Sequence, residues 1–146
     1  MTAALRGPWD AETVQAHLQD TVIPVRLATS GRSGPIVQSL WFDVSDGALW
    51  CATQADALVV RRLARDPRCG FEVARDEPPY RGVRGTGEAS VVPEAGEPVL
   101  RRLLHRYLGG TTSDLAQWLL ARSASEVALR IVPRTLTSWD YRSRMS

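Results

Sequence analysis

The sequence predicts an α+β protein: an antiparallel β-barrel of six or seven strands, flanked by three or four short helices. Three observations carry this. Residues 36–53 read IVQSLWFDVSDGALWCAT, two apolar, β-branched and aromatic runs around Ser45-Asp46-Gly47. Asp-Gly at such a junction marks a tight hairpin, because the turn needs positive φ and glycine tolerates it. Glu126 to Val132 (EVALRIV) alternates at the two-residue period of a half-buried strand. The other strand-like runs are short and separated by turn residues or helix-like segments, with no internal repeat and no low-complexity tract.

Taken in order, Asp10 can cap a helix over Ala11 to Gln19, with Val14 and Leu18 on one face. Val22 to Thr29 is a strand with Pro24 near its start, and Ser30-Gly31-Arg32-Ser33-Gly34 is a loop leading into the hairpin. On the first hairpin strand Ile36, Gln38, Leu40, Phe42 and Val44 share one face, and Val37, Ser39, Trp41 and Asp43 the other. Neither face is cleanly polar, which predicts that both are covered, within a barrel or against a second subunit. Asp56 to Arg65 is a helix with Asp56 as N-cap, ended by Asp66-Pro67. Cys69 to Ala74 is a strand, Asp76-Glu77-Pro78-Pro79 a turn, and Tyr80 to Val92 a further strand. Gly82, Gly85 and Gly87 in that strand mark either a barrel corner or the close approach of another group. Pro98 to Leu108 is an amphipathic helix ended by Gly109-Gly110, with Arg101, Arg102 and Arg106 on its solvated side. Ser113 or Asp114 opens a shorter helix carrying Leu115, Trp118 and Leu119. Pro133 is expected to break the strand begun at Glu126, leaving Leu136 to Tyr141 as a short closing strand.

Composition bounds the chemistry. The 146 residues suit one domain, 44% are hydrophobic and 23% charged, and the net charge is +2. No apolar run approaches the roughly 20 residues of a membrane span, nor does the N-terminus read as a signal peptide, so a cytoplasmic protein without membrane partners is expected. All 18 cationic side chains are arginine. Without lysine there is no Schiff base, no phosphate-loop lysine and no lysine general base, so a bound anion must be held by arginine, backbone N–H groups or hydroxyls. Cys51 and Cys69 stand apart, and read as buried strand thiols rather than a metal or redox pair. His17 and His105 have no ligand-spaced partner, so no metal site is expected.

The ordered set of hairpin, Ala52-Thr53, arginine-bearing helix, Asp66-Pro67-Arg68, strand and YRGVRGTGEA at 80–89 resembles the flavin-binding split barrels. These are the pyridoxamine 5′-phosphate oxidase-like proteins and related deazaflavin-dependent reductases; the likeness covers about Val22 to Val92, and more weakly Ser138-Trp139-Asp140. It implies an antiparallel six-stranded split β-barrel with short flanking helices, in a single domain over residues 1–146, acting as a homodimer with its cofactor in a groove between subunits. Gln38, Ser39, Leu40 and Trp41 would then run along the ring, and Ala52 and Thr53 would approach the phosphate end. The N-terminus of the 56–65 helix would face the same anion, with Arg61 and Arg62 as its cations. Tyr80 and Arg81 would reach the ring from the partner subunit, and Trp139 would line the groove. Each also has a plain structural reading: core or interface packing for Trp41, Trp50 and Trp139, a turn anchor for Tyr80 and Arg81, and a solvated basic face for Arg61, Arg62, Arg65 and Arg68.

Two departures matter. Ala57-Leu58-Val59 stands where the oxidase branch carries a Ser-Arg-Lys phosphate clamp, and Arg81-Gly82-Val83 where it carries Arg-Gln-Val. They argue against pyridoxamine phosphate oxidation. The reading is therefore an FMN- or deazaflavin-dependent oxidoreductase that moves hydride to or from a small organic substrate, with no catalytic side chain assigned, because the cofactor carries that chemistry. The alternative is a non-catalytic protein that stores, senses or transfers a flavin or haem. Nucleic-acid binding is disfavoured, since acids interleave with the arginines and the net charge is only +2.

Overall fold

The computed structural model describes residues 3–146. Its strands are β1 (Ala4–Arg6), β2 (Val25–Thr29), β3 (Ile36–Leu40), β4 (Asp43–Ser45), β5 (Ala48–Gln54), β6 (Arg68–Ala74), β7 (Arg81–Val92) and β8 (Glu126–Asp140). The helices are α1 (Ala11–Asp20), α2 (Leu58–Arg65), α3 (Gly96–Leu108) and α4 (Asp114–Ala121). All eight strands form one sheet in the order β3-β2-β6-β7-β8-β5-β4, antiparallel throughout, with β1 added in parallel to β8.

Eight strands replace the expected six, for two reasons. β1 has only three residues and owes its strand geometry to β8, which its own sequence does not announce. The first hairpin strand is also broken at Trp41-Phe42. Its front half pairs with β2 and its back half with β5, so one stretch of chain supplies both ends of the sheet and curls it into a split barrel. The break leaves backbone groups without ladder partners, and one phenol from α3 collects them. Phe42 N–H donates to the Tyr107 hydroxyl (3.1 Å), which lies 2.8 Å from Ile23 O and 3.2 Å from Phe42 O. The turn itself is as expected: Ser45 pairs with Ala48, and Asp46 and Gly47 take φ of 53° and 72°.

Inside the barrel lie Leu27, Phe42, Leu49, Phe71, Val73, Leu129, Ile131 and Leu136, each 5% exposed or less. α2 closes one end with Val59 and Leu63, and α1 the other with Val14 and Leu18. α3 lies outside, against β5 and β8, where Val99 and Leu103 meet Trp50, Ala52 and Ala128. α4 adds Ala116 to Leu100 and Leu104, but presents Leu115 and Trp118 outward. The α3 arginines are not simply solvated. Arg101 pairs with Glu97 and Arg102 with Asp43, while half-buried Arg106 donates to the carbonyls of Leu18, Gln19 and Thr21 at the C-terminal end of α1.

Three local expectations change. α2 starts at Leu58 with Ala57 as N-cap, so Asp56 caps nothing. Pro133 does not break β8: it sits opposite Gly87, where a register shift in the β7–β8 ladder accommodates a residue without an N–H. The β7 glycines mark a corner. A Cβ on Gly85 would meet Thr135 O and the Phe71 ring, and one on Gly87 would meet Val132 O. The group that approaches them is the chain itself.

The register also decides which way β3 faces. Val25 and Leu27 are wholly buried and stand opposite Leu40 and Gln38, so Gln38 and Leu40 point inward. Val37 and Ser39 point outward, and Val37 is 64% exposed, so in the protomer that face is bare.

Candidate functional site

A strongly cationic concavity is built by α2 and the loop that follows β2. Val59 and Leu63, one helical turn apart, anchor α2 in the core, and this phase turns Arg62 toward the 30–34 loop. Arg62 is only 8% exposed. Its Nη1 donates to Thr29 O (3.3 Å) and Gly34 O (3.0 Å), and its Nη2 to Ser33 Oγ (3.3 Å). All three acceptors are neutral. The guanidinium keeps an Nε–H and one Nη2–H without a partner, and its buried charge has no counter-ion among the described residues.

Around it Arg32, Arg61 and Arg65 line a cleft of about 610 Å³ with Ser30 and Gly31. None of the four arginines forms an ion pair among the described residues. The one carboxylate on the rim, Asp66, is engaged by Arg68 at 2.9 Å, whose hydrogen bonds pull its pKa down to about 2. Arg68 itself does not line this cleft. Gly31 leaves room for this group: a Cβ there would lie 2.5 Å from the Arg62 guanidinium carbon, so the guanidinium would have to shift. Gly31→Ala is expected to push that group off a carbonyl partner and cost about 1–3 kcal/mol in urea unfolding. Unchanged stability would show that the guanidinium can yield.

The other candidate residues do not gather at this cleft within one protomer. Ser39 opens onto a small outward cavity with Arg26, Ala74 and Arg75. Trp41 stacks on Tyr107 (4.9 Å, 6° between planes), and both Trp41 and Ala52 pack on α3. Thr53 is half-buried on β5 opposite Val127. Tyr80 accepts from Tyr141 N–H (2.9 Å) and so ties down the C-terminal segment. Arg81 lines a separate cavity beside α1. Trp139 covers Gly82 and lies beneath the Arg84 guanidinium (5.6 Å). Gln38 and Leu40, pointing inward, have only backbone to offer a ligand outside the barrel; since β3 ends the sheet, part of that backbone is free of ladder bonds.

Arg32 was the residue that sequence reasoning passed over. Its signal was there, an arginine between glycines directly after a strand, but its proximity to α2 is a tertiary fact. Both cysteines are free and buried, with burial raising the Cys51 thiol to about 12 and Cys69 to about 11. Neither suits nucleophilic chemistry.

Glu126, at the start of β8, is a second buried group, 8% exposed and with Oε2 unpartnered. Burial raises its pKa, offset in part by Gln54 and Arg122. A carboxyl whose folded-state pKa lies above its unfolded value binds the extra proton in the folded state, so stability falls as pH rises through that interval. Glu126→Gln is expected to be more urea-resistant than the parent near pH 7, with the advantage gone below the ordinary glutamate pKa of about 4.3. An equal gain at both pH values would exclude ionisation as the cause.

No family model matches the chain, and no curated protein does. Solved structures do. The conserved hypothetical protein Rv2991 from Mycobacterium tuberculosis is 31% identical, with a TM-score of 0.78 over 93% of this chain and 88% of that one. An F420 reductase matches at 23% identity and TM-score 0.70, over 83% and 94%. A provisionally named pyridoxamine 5′-phosphate oxidase from Listeria innocua matches at 16% and 0.69, over 87% and 95%. The chain has the split-barrel fold of the pyridoxamine 5′-phosphate oxidase-like proteins. For the last two structures the likeness is one of fold. In this split barrel, no helix among the described residues is long and apolar enough to cross a membrane.

Proposed function

We propose that this split barrel is a homodimeric oxidoreductase that binds FMN or a deazaflavin and moves hydride to or from a small organic substrate. One observation carries the cofactor reading: the buried Arg62 charge, satisfied only by neutral oxygens, opens onto a cleft with three further unpaired arginines. A charge so placed calls for an anion, and a cofactor phosphate fits the donor set. Arg32, Arg61, Arg62 and Arg65 would hold that phosphate, and the Ser30 hydroxyl lies on the same cleft. The 57–59 segment lacks the oxidase clamp, and the arginines of α2 and the 30–34 loop take its place.

The remainder of a flat ring would lie along the free edge of β3. Val37 and Ser39 leave the outer face there bare, and a second copy would cover it. When bound, the cofactor supplies the hydride chemistry; the protein's residues hold the anion, orient the ring and exclude water. Haem storage is the second reading: His17 is engaged at both ring nitrogens, at Val73 O and Thr21 Oγ1, which leaves exposed His105 on α3 as the histidine open to a haem iron.

The test is the absorption spectrum and mass of whatever co-purifies, together with FMN and deazaflavin titrations and sedimentation of the protein. A flavin-type band or a saturable rise in melting temperature is expected, in a dimer. A colourless monomer indifferent to both cofactors would overturn the reading, and a Soret band on haem titration would replace it with haem binding.

A further inference from the structure

At the opposite end of the barrel from α2, a second cavity opens between α1 and the 75–81 turn. It holds about 330 Å³ and is walled by Trp9, His17, Thr21, Arg75, Arg81 and Arg142. That is at the small end of the roughly 300–1,000 Å³ usual for small-molecule sites. Its charges are unequally engaged. Arg142 is spent on Asp140, with Nε 2.9 and 3.0 Å from the two carboxylate oxygens. Arg75 and Arg81 form no ion pair among the described residues. The one other carboxylate on the wall is Asp20, at the C-terminal end of α1.

Beside the two free guanidiniums stands a rigid aromatic wall. His17 Nε2–H donates to Val73 O (2.9 Å), and the Thr21 hydroxyl donates to Nδ1 (3.3 Å). Burial, with Arg81 and Arg75 nearby, keeps the ring's pKa below the usual histidine value and so favours the neutral form, in which Nδ1 accepts from Thr21. Trp9 packs on that ring at 5.0 Å between centroids, and its indole N–H is fixed on Asp140 Oδ2 at 3.0 Å. Neither ring can turn without breaking a hydrogen bond.

We propose that this cavity binds a small organic carboxylate, with the carboxylate on Arg75 and Arg81 and the apolar body against Trp9. Guanidinium matches the planar, two-oxygen geometry of a carboxylate. A more highly charged phosphate is better served by the four arginines of the α2 cleft. The two sites lie at opposite ends of β6, whose seven residues span roughly 23 Å. The carboxylate site therefore does not rest on the cofactor reading.

The experiment is calorimetric titration of the full chain with benzoate and, separately, inorganic phosphate, at constant ionic strength. Saturable benzoate binding is expected, weakened about tenfold or more by Arg75→Gln or Arg81→Gln and lost in the double variant. Arg61→Gln/Arg65→Gln should leave it unchanged. Because Arg75 and Arg81 support no other side chain, melting temperatures should hold; if the double variant does not fold, the single variants decide. No saturable benzoate heat, an affinity indifferent to both arginines, or phosphate binding there as tightly would overturn the proposal. None of these outcomes touches the flavin titration.

Discussion

Phe42→Ala is expected to destabilise the fold by about 3–5 kcal/mol, the range for emptying a buried aromatic site. The ring is wholly buried at the point where the strand changes partner, with the Arg106 guanidinium 5.0 Å from its centre. Loss of the ring opens a cavity where β3 leaves β2 and β4 joins β5, so the closure of the barrel is weakened as well as its core. Tyr107→Phe isolates the second contribution. It keeps the stacking on Trp41 but removes the hydroxyl that serves Phe42 N–H and Ile23 O, and should cost about 1–3 kcal/mol. Urea unfolding of both variants checks this. Phe42→Ala within about 0.5 kcal/mol of the parent, the usual span of surface changes, would mean that the break does not depend on its buried ring.

The same stretch shows where sequence reading ends. The Asp46-Gly47 turn was legible because its cause is local: two residues that tolerate positive φ between two apolar runs. The break at Trp41-Phe42 was not, because both residues continue the alternation without interruption. What makes it possible is a phenol 65 positions along the chain. Pro133 misled in the other direction. The local rule for a proline in a strand is sound, but a register shift across the ladder supplies the exception. Site residues divide the same way. That any side-chain cation for the anion had to be arginine followed from the absence of lysine. That Arg62 is buried and Arg61 exposed followed only from the phase of α2, which begins two residues later than its expected cap. The direction of Gln38 needed the register with β2, which no single strand records.

Arg61→Gln/Arg65→Gln is expected to produce the largest functional effect, a loss of cofactor affinity of roughly 10²–10⁴-fold. Each substitution removes one charge-assisted contact, worth about 1.5–3 kcal/mol, and 1.4 kcal/mol is a factor of ten. Both side chains are exposed and form no ion pair among the described residues, and the one hydrogen bond lost, from Arg61 to Asp56 O (3.3 Å), is exposed, so the apo protein should unfold close to the parent. The contrast with Arg62 matters: its removal would strand the carbonyls of Thr29 and Gly34, and stability would change together with binding. Linkage then gives a readout free of turnover. Cofactor at a hundred times its Kd should stabilise the parent by about 2.7 kcal/mol, and a variant bound a hundredfold more weakly by only about 0.4 kcal/mol at the same concentration. The parent's gain should shrink with added salt, since the cleft is open and its charges are screened. If the double variant keeps the full gain, the anion sits elsewhere and Arg62 is a loop staple whose charge is carried by neutral oxygens alone.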